Sequence, residues 1–102
     1  MSSSDKLTQE NAVLLLENLL LKERMDLNLW DVRQMKANVD LMKKIAEKAP
    51  WSEPSKPLSS KLIQTLVELL QIIQEKDATR VNAGHTHVEQ ALNNLRDSTF
   101  GL

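Results

Sequence analysis

The chain predicts an all-α fold, a helical bundle or hairpin of three to four helices, and three observations carry that expectation. Of 102 residues only two are glycine and three proline, and the prolines all fall between Pro50 and Pro57. Long stretches free of both favour helices and leave too few turns for a β-sandwich. Apolar residues recur at helical rather than alternating spacing through most of the chain. Residues 13–21, moreover, are leucine or valine at all but two positions, Glu17 and Asn18, and demand extensive cover.

Composition narrows the class. Hydrophobic residues make up 41% and charged residues 26%, the balance of a folded soluble domain. One hundred residues suffice for a single domain with a modest core. With no cysteine, disulfides and thiol chemistry are excluded. The first residues lack the basic-then-apolar order of a secretory signal. No apolar run approaches the ~20 residues of a membrane span. The expectation is an intracellular protein, cytoplasmic rather than secreted, with no membrane partner.

Residues 1–7 are expected to be disordered. A helical segment comes next over 8–49, with Thr8 as its N-cap, because a hydroxyl there accepts a backbone N–H that otherwise has no partner. The segment either breaks near 26–28, with Asp26 or Asn28 capping a second helix, or continues as one bent helix. Two apolar faces arise when its first part is placed at 100° per residue. Ala12, Val13, Leu15, Leu16, Leu19 and Leu20 form a broad arc. Leu14, Leu21 and Met25 form a narrow stripe at i, i+7, i+11 on the other side. A surface helix needs one apolar face, so a helix with two either lies centrally in a monomeric bundle or faces another chain; the stripe is the predicted oligomer interface.

From residue 29 on, Val32, Met35, Val39, Met42, Ala46 and Ala49 follow 3-4-3-4-3 spacing, an a/d seam made adaptable by its methionines. The opposite side carries Arg33, Lys36, Lys43, Lys44 and Lys48, a track of about 22 Å at 1.5 Å per residue. Charge is uneven: the net is −3 over 1–32, +4 over 33–61 and −2 over 62–102. The basic face is therefore a candidate for binding a polyanion, although Asp40 and Glu47 interrupt it.

A Pro-rich linker is expected over 50–59, folding two long segments antiparallel, with Trp51 over the end of the bundle. Ser59 or Ser60 would begin a third helix spanning 60–82, whose apolar face matches the first helix in breadth; the two are paired on that ground. Gly84 then suits a helix stop and Thr86-x-x-Glu89 a capping box, giving a short C-terminal helix over 86–97 and a tail over 98–102. Against that break, Val67, Gln74, Val81, Val88 and Leu95 keep a seven-residue register through it.

Chemistry is sparse. His85-x-His87-x-Glu89 is the one constellation resembling a metal site, yet zinc wants three or four convergent ligands and a helix turns His87 away. The expectation is no metal, with His85 and His87 as surface residues beside a cap. No Gly-rich phosphate loop, HExxH or G-x-S-x-G is present. No enzyme activity and no cofactor are expected. The leading expectation is a helical interaction or assembly protein, a homodimer or larger, also able to meet another helical protein. The alternative is a small nucleic-acid-binding or regulatory protein, of a viral or phage kind, that lays the basic face on a phosphate backbone.

Overall fold

Helix ends are set by local chemistry, and the connections they leave are short enough to dictate the bundle. In this computed structural model, which describes residues 7–101, α1 spans Gln9–Asn28, α2 Val32–Lys48, α3 Lys56–Glu75 and α4 Ala78–Phe100. The expected disorder of residues 1–7 lies outside the described residues except at Leu7, which packs against the core. Thr8 caps α1 by accepting from the Asn11 N–H at 3.1 Å. Asp31 caps α2 and Asp77 caps α4 in the same way, each accepting from the N–H three residues on.

The first break falls later than Asp26 or Asn28. Leu29, Trp30 and Asp31 form the turn, with Trp30 at φ 52, and Asp31 is the cap. Asp26 does not cap, because its carboxylate is turned inward to bind Asn38. The second connection is also shorter than 50–59. Pro50 stands in it, Glu53–Ser55 winds a 3-10 turn that includes Pro54, and α3 begins at once with Pro57 in its first turn. Proline costs nothing there, since that N–H has no helical acceptor. Trp51 is buried and donates its Nε1–H to the Ala46 carbonyl at 2.7 Å.

The third connection overturns the expected boundary most. The third helix stops at Glu75, not 82, with Lys76 in the left-handed conformation at φ 58. The fourth helix runs through 83–86 unbroken and continues to Phe100, so it is long rather than short and takes in most of the expected tail. Thr86 bonds back to the Asn82 carbonyl instead of forming a capping box. Gly84 lies mid-helix for packing: a Cβ there would stand 2.9 Å from Leu69 Cδ1.

Three tight connections make each helix antiparallel to the next. Helix α1 packs on α2 and α4, α3 packs on the same two, and α1 and α3 lie on a diagonal. The expected pairing of the first and third helices is thus corrected: breadth of apolar face does not choose a neighbour when a three-residue turn already has. The core joins Leu16 and Leu20 of α1, Met35, Val39 and Met42 of α2, Leu62, Leu66 and Leu69 of α3, and Val81, Val88, Leu92 and Leu95 of α4. Leu15, expected in the buried arc, is 45% exposed. It lies at the arc's edge, beyond what the thin Met and Ala seam of α2 covers.

Candidate functional site

The outer face of α1 carries a row of apolar side chains and has no neighbour among the described residues. Because α2 and α4 take its flanks, the side opposite Leu16 and Leu20 meets solvent. Leu14 is 50% exposed, Leu21 60%, Met25 66% and Leu29 76%. Single exposed leucines are ordinary, but four large apolar side chains on one helix face are a contiguous apolar surface. Beside it runs a groove of about 350 Å³ between α1 and α4, lined by Asn18, Leu20, Leu21 and Leu92 and bounded by charged groups. Glu17 meets Arg96 at 3.3 Å, and Arg24 meets Glu89. These pairs are largely solvated, so they contribute little stability.

The same positions read as a seam. Asn11, Leu14, Asn18, Leu21, Met25 and Asn28 follow 3-4-3-4-3 spacing along α1. Asn11, Asn18 and Asn28 are exposed together with the apolar residues between them. It is an a/d row facing water.

Beneath it, on the inner side of α1, lies a buried polar cluster. Glu23 is fully buried and His85 is 6% exposed. His85 Nε2 stands 2.8 Å from Glu23 Oε2, joining α4 to α1. Asn38 of α2 donates its Nδ2 to Glu23 Oε1 at 3.1 Å and to Asp26 Oδ2 at 2.7 Å. Lys22 donates to the same Asp26 oxygen at 3.0 Å. The Asn38 amide, the Lys22 hydrogen bond and the Lys22 charge hold the Asp26 carboxyl below its usual range, with partial burial opposing them. His85 Nδ1 is buried and has no hydrogen-bond partner among the described residues.

Sequence reasoning missed this cluster, placing His85 on the surface. The correction follows from α4 being continuous: Val81, His85, Val88, Leu92 and Leu95 then share its inner face. A signal was present. Glu23 sits seven residues after Leu16, and Asn38 lies three after Met35 and four before Met42. Each is a polar residue in an apolar register.

The other candidates are dispersed. His87 is exposed, and Glu89 turns to Arg24, so the His85-x-His87-x-Glu89 set does not converge. Among the described residues no group of three or more His, Asp or Glu is arranged to hold a metal ion. On α2, Arg33, Lys44 and Lys48 are exposed, and Lys36 and Lys43 are half-buried. Lys44 meets Asp40 at 3.1 Å and Lys43 meets Glu47 at 4.0 Å. Arg33, Lys36 and Lys48 make no ion pair among the described residues. No described helix is long and apolar enough to cross a membrane. No protein-family model matches the chain, and neither a curated protein nor a solved structure shows a significant match.

Proposed function

We propose that this protein is a non-enzymatic assembly module that associates with itself through the outer face of α1. The observation that carries the proposal is the exposure of Leu14, Leu21 and Met25 on a helix whose other sides are covered by its own chain. Such a row in water is adhesive, and burying it yields roughly 25 cal/mol per Å² of apolar area. A second copy supplies a matching row by two-fold symmetry. The test is light scattering on the purified protein and on Leu14→Lys/Leu21→Lys. The wild type is expected to be a dimer and the variant a helical monomer, since two like charges per chain then face each other. A wild-type monomer at high concentration defeats the proposal.

A second reading keeps the basic face of α2 as a polyanion surface. What supports it is Arg33, Lys36 and Lys48, left without ion pairs among the described residues on the side of α2 away from the core; the Lys43 and Lys44 pairs weaken it. Replacing Lys36, Lys43 and Lys44 by Gln should lower retention on duplex DNA. It should also flatten the salt dependence by about 0.9 in log–log slope for each phosphate no longer neutralised. No retention at low salt retires it.

A further inference from the structure

We infer that the second copy lies parallel and in register along α1, so that Asn18 meets Asn18 and Leu21 meets Leu21 across the two-fold axis. The inference rests on the self-association proposed above and adds the orientation and the partner atoms.

Three observations choose this arrangement. First, the exposed row assigns Asn11, Asn18 and Met25 to a positions and Leu14, Leu21 and Asn28 to d positions. Parallel in-register pairing puts like opposite like in every layer: amides bond amides, and apolar groups pack on apolar groups. Antiparallel pairing about the middle of the row sets Asn18 against Leu21, so a carboxamide in the centre of the interface faces an alkyl group and loses its water without gaining a partner. A buried polar group left so costs about 1–3 kcal/mol, once on each side of the axis.

Second, the flanking charges agree. In a parallel pair each g position faces the e position five residues further along the other chain. Glu17 is then opposite Lys22 of the second copy, and the contact occurs twice. The two side chains flank the row on opposite edges, Glu17 beside α4, where it meets Arg96, and Lys22 on the other edge, where it is half-exposed and meets Asp26; the contact across the axis competes with these local pairs. Glu10 and Arg24, the other g positions, fall opposite Leu15 and Leu29, where their methylenes cover alkyl groups.

Third, the arrangement accounts for exposure elsewhere. Leu15, at the edge of the inner arc, and Leu29, beyond the last turn of α1, occupy e positions and enter the same contact. Five of the large apolar residues exposed along α1 and at its C-terminal end, Leu14, Leu15, Leu21, Met25 and Leu29, belong to this one surface; Trp30, in the turn that follows, does not.

The absence of cysteine makes the test direct. Single variants Leu14→Cys and Met25→Cys are oxidised separately, then as an equimolar mixture, with Val67→Cys on the exposed side of α3 as a collision control. A disulfide needs Cα atoms about 4.4–6.8 Å apart. In register, residue 14 faces 14 and 25 faces 25. Reversed, like residues stand about 16 Å apart along the axis, at 1.5 Å per residue, and 14 faces 25. The expected result is that each single variant links to itself about 100-fold faster than the control, as pre-association at millimolar effective concentration requires. A dimer whose cysteines link only in the mixture overturns the orientation and spares the proposed function. A wild-type monomer by light scattering, or a dimer in which neither position links above the control, overturns the α1 surface itself.

Discussion

Gly84 and His85 are neighbours on α4 and serve two seams of opposite character. Gly84 faces α3, where the missing Cβ lets Leu69 press against the helix backbone and the contact is alkyl throughout. His85 faces α1, where it meets a fully buried carboxylate, and the rest of that seam carries ion pairs and an open groove. At Gly84 the α3–α4 seam draws its stability from apolar area and close packing, while its outer edge opens to a groove lined by Thr65, Glu68, His87 and Asn94. The α1–α4 seam shares that apolar core through Leu20 and Leu92 and adds buried hydrogen bonds to it. Those hydrogen bonds help specify one rotation of α1, because turning the helix by a residue would strand Glu23, Asn38 and His85 together. That rotation is what directs Leu14, Leu21 and Met25 outward. A polar seam on the inside thus sets which apolar residues lie outside.

Mutations can break or sharpen this contrast. The largest effect belongs to the Gly84–Leu69 contact. Leu69→Ala should cost about 2–5 kcal/mol, as other emptied leucine sites do, measured by chemical denaturation. Gly84→Ala alone should be nearly neutral, its helix-propensity gain of ~1 kcal/mol offset by displacement of the Leu69 tip. In the Leu69→Ala background that obstacle is gone, and Gly84→Ala should recover about 1 kcal/mol. Independent, additive effects would mean that the two residues do not share the contact.

On the wet seam, Glu23→Leu should cost about 2–4 kcal/mol, because buried donors on His85 and Asn38 lose an acceptor at ~1–3 kcal/mol each. Replacing both Glu23 and His85 by leucine should return most of the loss, since an apolar pair of similar volume commonly matches a buried polar one. Losses that simply add in the double variant would show that the two side chains act separately.

The smallest effect lies at the cluster's rim and is read by pH. With its folded-state pKa lowered chiefly by Asn38 and Lys22, Asp26 contributes stability that is present above the ordinary carboxylate range, near ~3.9. That contribution is lost as pH falls through the lower folded-state value. Asp26→Asn should therefore flatten the acid limb of a stability–pH curve while leaving its neutral shape unchanged. An identical acid limb in the variant would show that Asp26 adds nothing to acid sensitivity.

Composition and periodicity by themselves determined the all-helical class, the two-sidedness of α1 and the Met35, Val39, Met42, Ala46 seam. Those properties follow from side-chain placement at 100° per residue, which needs no knowledge of neighbours. They also marked Leu14, Leu21 and Met25 as a row apart from the inner arc. Tertiary structure alone decided where the last helix begins. A glycine costs a helix ~1 kcal/mol in isolation, and here close approach to Leu69 gives it a packing role, so the break moved upstream to Lys76 and Asp77. It also decided the neighbours of each helix, because loop length constrains docking more than the width of an apolar face. The burial of His85 against Glu23 belongs to the same class. Sixty-two residues separate the pair, and only a continuous α4 lying along α1 brings these two polar side chains, each out of place in its own helix, within hydrogen-bonding distance of each other.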